Sequence, residues 1–508
     1  MNTNTLRPLA LGALLALLAA GPAAGQTARY QQYVALGDSL TAGWQSGCLV
    51  ERNQLNSYPA VLASILFDGT FQMPLVEEIA LTNPPTTACL GAVFIPPATV
   101  TVGPISEMGP PLNLAYPAPY NDVAIPGAEV ADLTTLTHGD VNGTDLQKLS
   151  ALILRNVTGS PFDGTSEVTQ AALLLAPAGS AGLATLWVGN NNTLGASTSG
   201  IVVDGVTLVS QADFQASYDA IIAGLPASSA LVVANIPDVT AIPFSTTIPP
   251  VLVNPTTRQP VIINGQLVPL LGPGDAAYPC TPVPPDTGCA LPSGTLVNLP
   301  ASSLLAMGQG IPKYAGGLGT PLPHGSFDST GPHAGVILYP DDIALLQSRT
   351  AEYNEVIATS SRNAVQVDAN GILGEIAVVG YDIGGIHLST DFLTGGIFSY
   401  DGVHPSTIGY TIIADKFIQA INDQTGSDFP RPNYSNVLFT PNVPPASVTG
   451  SVTGGPWNFT YEMWSNVLNS TVSPRLKRVQ LPPIPAARIA PRNPVRRATR
   501  TVERESGR

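Results

Sequence analysis

Charge is scarce in this chain of 508 residues. Asp, Glu, Lys and Arg make up 11% of it, less than half the ~25% usual for soluble domains. The formal net charge is −14, which argues against a nucleic-acid binder. Aromatic residues are only 6%. There are five His and four Cys, and the thiols neither cluster in close pairs nor sit beside His, so a thiolate metal site finds no support. No later apolar run reaches the ~20 residues needed to span a bilayer. Gly does not recur at every third position, which removes collagen. Hydrophobic residues at 44% are too many for a wholly disordered chain. At roughly 100–200 residues per domain, the length fits one large decorated domain or two to three ordinary ones.

Gly and Pro are plentiful, 49 of each, and imply long irregular loops. The charge is also unevenly spread. Residues 475–508 carry ten basic and two acidic residues, a +8 tail on a body of −22. Residues 431–508 read as a C-terminal extension, basic and disordered from 475. Such a tail either is simply solvated or makes peripheral contact with anionic envelope surfaces.

The N-terminus has a single Arg7, then the apolar stretch Leu9 to Ala20, then small residues up to Gly25. That pattern predicts a secretory signal peptide over 1–25 and a secreted, periplasmic or extracellular protein. In an exported chain Cys48, Cys89, Cys280 and Cys289 suggest two disulfides. Three pairings are open, and locality favours Cys48 with Cys89 and Cys280 with Cys289.

Short apolar runs end in turn residues at Tyr33–Leu36, Asp122–Ile125, Leu183–Val188, Ala230–Asn235 and Ala364–Asp368; each reads as a buried strand. Between them lie helical patterns. Ser57 and Pro59 open one. Ser210 caps another, with Phe214, Tyr218, Ile221, Ile222 and Leu225 on one face. Further helices are expected over Asp341–Ser361 and after Pro405, the last with Ile413, Phe417, Ala420 and Ile421 on one side. Strands alternating with helices predict an α/β fold, a three-layer α/β/α sandwich around a mostly parallel sheet of about five strands. Ligands of such sheets bind at the carboxyl ends of the strands. Residues 241–335 break the rhythm with 17 Pro and 13 Gly in 95 positions. Their apolar pattern is too sparse for a core, so they read as an insertion in a domain of 26–430, serving as a lid or as inert loop mass. Within it, Asn264-Gly265 predicts a type I′ hairpin turn.

The candidate chemistry follows the strands. Ser39 comes directly after the first, where its hydroxyl reaches the sheet edge, and a hydroxyl needs a base to become a nucleophile. His404, before the last helix, can serve, and Asp401 three residues earlier can fold back to hold its ring. Gly127 after the second strand and Asn191 after the third can supply N–H donors to a developing oxyanion. Neither a metal nor a cofactor is called for. His324 and His333 read as surface residues.

Taken together, these segments resemble the SGNH (GDSL) family of serine esterases and lipases. Gly37-Asp38-Ser39-Leu40 matches its first block, Asn121 to Ala128 resembles the second, Gly189-Asn190-Asn191-Asn192 the third, and Asp401-Gly402-Val403-His404 the last. The resemblance covers about residues 30–425 apart from the insertion. It implies a flavodoxin-like fold with Ser39 as nucleophile, His404 as base and Asp401 as its orienter. The oxyanion hole would be Ser39, Gly127 and Asn191. Asn192 stands where the family usually has Asp, which predicts altered local hydrogen bonding. The implied reaction is hydrolysis of lipid or other apolar acyl esters by a monomer. Acetylated polysaccharide as substrate, transfer of the acyl group to an alcohol, and a non-catalytic envelope protein are the alternatives.

Overall fold

The computed structural model describes residues 28–80, 89–95, 99–254, 257, 259–274, 278–434, 437 and 450–451. The signal-peptide stretch and the Arg-rich tail lie outside the described residues.

The central sheet is built from β1 (Gln32–Gly37), β2 (Gly182–Trp187), β3 (Ala230–Ala234) and β4 (Val365–Val367), in that spatial order. All three pairings are parallel. Side chains alternate across the pleat, and the two faces bury different sets. Val34, Leu36, Ala184 and Val233 enter one core cluster; Tyr33, Ala35, Leu183 and Val232 enter another. Helices therefore cover both faces. The helices Glu167–Leu175 (α3), Gln211–Gly224 (α5) and Pro340–Ser360 (α6) supply the first cluster. The helices Tyr58–Leu66 (α2) and Thr407–Thr425 (α8) supply the second.

Local chemistry sets these elements. Ser57 Oγ accepts from Ala60 N, and Pro59 lies in the first turn of α2. Ser210 Oγ takes the Asp213 N–H at 3.1 Å, and Phe214, Tyr218 and Ile221 are buried as the spacing predicts. Ser406 Oγ takes the Gly409 N–H at 3.1 Å at the start of α8.

The sheet has four strands rather than about five. The expected strand Asp122–Ile125 makes only a single parallel bridge, from Asp122 to Ala35. The Val123 and Ile125 N–H groups reach the Ala35 and Gly37 carbonyls at 3.1 and 3.3 Å, but the Gly37 N–H that would continue the ladder goes to the Glu167 carboxylate at 3.1 Å, and Pro126 ends the segment. Even so, it lies beside β1 on the edge opposite β2, which gives the doubly wound order in which ligands bind at the reversal between β1 and β2.

The segment 241–335 is less bare than its sequence suggests. Leu270, Leu291, Val297 and Leu322 are buried in a small cluster with Ile337 and Tyr339, which lie just beyond the segment. Paired dipeptide strands replace long ladders here, because Pro lacks the N–H that a ladder needs. The hairpin pairs Ile262–Ile263 with Gln266–Leu267, and Asn264 and Gly265 take φ of 53° and 80°. Cys280 is bonded to Cys289. Cys48 is also disulfide-bonded, while the side chain of Cys89 lies outside the described residues. Beyond the expected boundary at 430, Arg431 pairs with buried Asp415, and Tyr434 Oη donates to the same carboxylate at 2.7 Å.

Candidate active site

The helices Ser39–Ala42 (α1), Asn191–Ser199 (α4) and α8 start at the carboxyl end of the sheet. Gly37 ends β1 at φ 152°, and a Cβ there would sit 2.3 Å from the Trp187 carbonyl oxygen. Only Gly lets β1 turn this close to β2. Asp38 caps α1 by accepting from Leu40 N at 3.0 Å, and Ser39 becomes the first helical residue.

Ser39, His404 and Asp401 meet here, although 365 residues separate Ser39 from His404. His404 Nε2 lies 2.9 Å from Ser39 Oγ, and His404 Nδ1 lies 2.9 Å from Asp401 Oδ2. The second contact fixes the tautomer, leaving Nε2 to accept from the hydroxyl. Asp401 Oδ1 accepts from His404 N, Val403 N and Ser399 Oγ, at 2.8, 2.9 and 3.1 Å, and Gly47 N donates to Oδ2 at 3.2 Å. Burial works to raise its pKa. The His404 charge and hydrogen bond, with the two backbone N–H groups, outweigh burial and hold the carboxyl below its ordinary value. Gly402 takes φ 70° to close this tight turn. All three groups are buried, at 2%, 0% and 3% exposure; with water excluded, the hydrogen bonds between them gain strength.

The two donor segments are stitched to the same turn. Asn190 Nδ2 donates to Asp38 Oδ2 at 2.8 Å, Asn191 Nδ2 donates to the Ala128 carbonyl at 2.9 Å, and Asn192 Oδ1 accepts from Val130 N at 3.0 Å. Three consecutive Asn thus bind the turn after β2 to both its neighbours. The change at Asn192 keeps an oxygen acceptor where the family usually has a carboxylate. Gly127 adopts φ 84° directly after Pro126. Among the described residues no hydrogen bond takes the backbone N–H of Ser39 or of Gly127. The Asn191 amide has a second N–H beyond the one given to Ala128. Preorganised N–H groups of this kind stabilise a developing oxyanion in acyl transfer.

Two features were not legible in the sequence. Glu167, the first residue of α3, is fully buried; it accepts from Gly37 N and Ile125 N, each at 3.1 Å. It looks like any acidic residue in a first helical turn. Trp44 packs a tilted ring 6.3 Å from that of His404. His324 is not a free surface residue as expected: it is part-buried, 2.8 Å from Asp342, because the Pro- and Gly-rich segment folds back on α6. His333 is exposed and lies 3.2 Å from Asp328. No group of three or more His, Cys, Asp or Glu able to hold a metal occurs among the described residues, and no helix there is long and apolar enough to cross a membrane.

Helices on both faces of a parallel sheet, with a hydroxyl, an imidazole and a carboxylate in hydrogen-bonded series at its carboxyl edge, define an α/β protein with a hydrolase-type site. The model of the GDSL-like Lipase/Acylhydrolase family matches residues 33–417, and the chain belongs to that family. It is thus an acyl hydrolase of the esterase/lipase type. No curated protein and no solved structure matches the chain.

Proposed function

We propose that the protein is a secreted carboxylic ester hydrolase that works through a covalent acyl-enzyme on Ser39. The observation that carries this reading is the unbroken series Asp401–His404–Ser39, with both links at 2.9 Å. His404 Nε2 takes the Ser39 proton as Oγ attacks the ester carbonyl carbon. The oxyanion that forms is received by the N–H groups of Ser39 and Gly127 and by the Asn191 amide. His404 then hands its proton to the leaving alcohol. Water, activated by the same imidazole, releases the acid and restores Ser39. Asp401 stays ionised throughout and steadies the imidazolium.

The low charge of the chain and the apolar surroundings of the site favour neutral, apolar acyl esters as substrates. Export is supported by the apolar N-terminal stretch with its small-residue end and by the Cys280–Cys289 disulfide, a bond typical of oxidising compartments.

A fluorophosphonate probe tests the mechanism directly. It should label the mature protein on Ser39, and Ser39→Ala should remove both labelling and ester hydrolysis. Full esterase activity in Ser39→Ala would sink the reading.

A further inference from the structure

Asp401 is held by more than its own loop. The chain between α7 (Ala369–Val379) and α8 carries Ser399, Tyr400 and Asp401. Bonded to it is a tight turn from the far end of the sequence, Gln45 to Cys48, which follows α1. Gln45 and Cys48 exchange both backbone hydrogen bonds at 3.0 Å, and the central Ser46 and Gly47 take φ of 51° and 80°. Two successive left-handed residues make a type I′ turn. Cys48 closes the turn and is itself disulfide-bonded, so the turn is anchored covalently.

The centre of the turn gives its polar groups to the catalytic loop. Gly47 N donates to Asp401 Oδ2 at 3.2 Å, Ser46 N donates to Ser399 Oγ at 3.0 Å, and Ser46 Oγ accepts from Tyr400 N at 3.1 Å. An ionised carboxylate only accepts hydrogen bonds, so the Ser399 hydroxyl, while accepting from Ser46, must donate to Asp401 Oδ1; that contact is 3.1 Å. Ser46 and Ser399 are both buried.

We propose that Ser46 and Ser399 are positioning residues for ester hydrolysis, which fix the plane of the Asp401 carboxylate and through it the His404 ring. The inference rests on the acyl-enzyme reading above and deepens it. The terminal torsion of an Asp side chain is broad and roughly two-fold, so both oxygens need partners to stop it turning. The N–H groups of Val403 and His404 both go to Oδ1. Among the described residues, Oδ2, the oxygen that holds the imidazole, has Gly47 N as its one backbone donor. The carboxylate is thus pinned from two sides. The same short stretch, residues 39–48, supplies the nucleophile at one end of the series and braces the carboxylate at the other.

The test uses the full mature protein, p-nitrophenyl butyrate and the rate of fluorophosphonate labelling. Ser399→Ala should lower kcat about tenfold and leave KM within about twofold. Ser399→Thr, which keeps the hydroxyl, should recover most of the loss. Ser46→Gly suits the positive φ and removes only the hydroxyl, so it tests the Tyr400 link with the turn intact; kcat should fall about threefold. The deciding comparison is made in Asp401→Asn. Residues that act through the carboxylate lose their effect there, so adding Ser399→Ala should cost less than about twofold in kcat or labelling rate. The same tenfold loss in that background overturns the positioning role, because general damage to packing would multiply through. Wild-type kcat in both Ser399→Ala and Ser46→Gly overturns it as well. Thermal melts report folding, and if Ser399→Ala unfolds, Ser46→Gly carries the same cycle. Absence of labelling and of all ester turnover in the wild type overturns the hydrolase reading itself, and the positioning role with it.

Discussion

Glu167 Oε2 accepts the Gly37 N–H at 3.1 Å across 130 residues of sequence. The same carboxylate holds Ile125, two residues before Gly127. One buried group therefore ties the turn that carries Ser39 to the segment that carries Gly127. Glu167→Ala should orphan the buried Gly37 N–H, at a cost of about 1–3 kcal/mol, while the Ile125 N–H keeps a second acceptor in the Gly37 carbonyl at 3.3 Å. We expect a clear loss in denaturant stability and a fall in kcat of more than tenfold. Glu167→Gln, which keeps one carbonyl acceptor, should recover part of both. Wild-type kcat in a folded Glu167→Ala would show that the brace does not matter to the site.

Asp401→Asn keeps the shape of the turn but not its charge. The Asn amide would face His404 Nδ1 as a donor and favour the wrong tautomer. A fall in kcat of roughly 10³–10⁴-fold is expected, with KM for a short ester changed far less. Steady-state kinetics on a chromogenic ester checks this, and a loss under tenfold would contradict the assigned role.

Stability should depend on pH in an unusual direction. Asp38, Asp122 and Glu167 are fully buried, and burial raises all three, Asp38 to about 6. A carboxyl raised in the folded state contributes stability that is complete below the ordinary carboxylate range. That stability is lost as pH rises through the folded value. For Asp38 the loss amounts to about 3 kcal/mol between pH 4 and pH 7. Asp401 acts in the opposite sense, losing stability as pH falls through its depressed value. Among the described residues Asp122 Oδ2 has no hydrogen-bond partner, so Asp122→Asn should flatten the fall in melting temperature between pH 5 and pH 8. An identical slope in wild type and variant would refute this.

Asn192 offers a finer probe. Its Oδ1 satisfies the buried Val130 N–H, and Asn192→Ala should destabilise by about 1–3 kcal/mol. Asn192→Asp restores the acceptor but adds a buried charge, so it should match Asn192→Ala or better at pH 5 and lose stability at pH 8. Chemical denaturation at the two pH values separates the variants.

Much of the framework could be read directly. The four observed strands fall within a residue of their apolar runs, because a strand buried on both faces must be apolar along its length. The fifth could not be judged from Asp122–Ile125 alone, since the Gly37 N–H that would extend its ladder is taken by Glu167, 130 residues away in sequence. Ser39, Asn191 and His404 were marked by the turn and helix signals around them. Glu167 was invisible because its partners, Gly37 and Ile125, become neighbours only when β1 and the bridged segment lie side by side.

Sequence by itself determined which residues could carry chemistry: a hydroxyl after β1, a His with an Asp three places before it, and an amide after β2. Local spacing decides these, because turns and caps are short-range devices. Only the tertiary structure decided that they meet. It closed a gap of 365 residues to 2.9 Å and buried the whole series. The physical reason is that parallel strands pair residues far apart in the chain. A site at their carboxyl ends exists only once every strand and helix around it is packed.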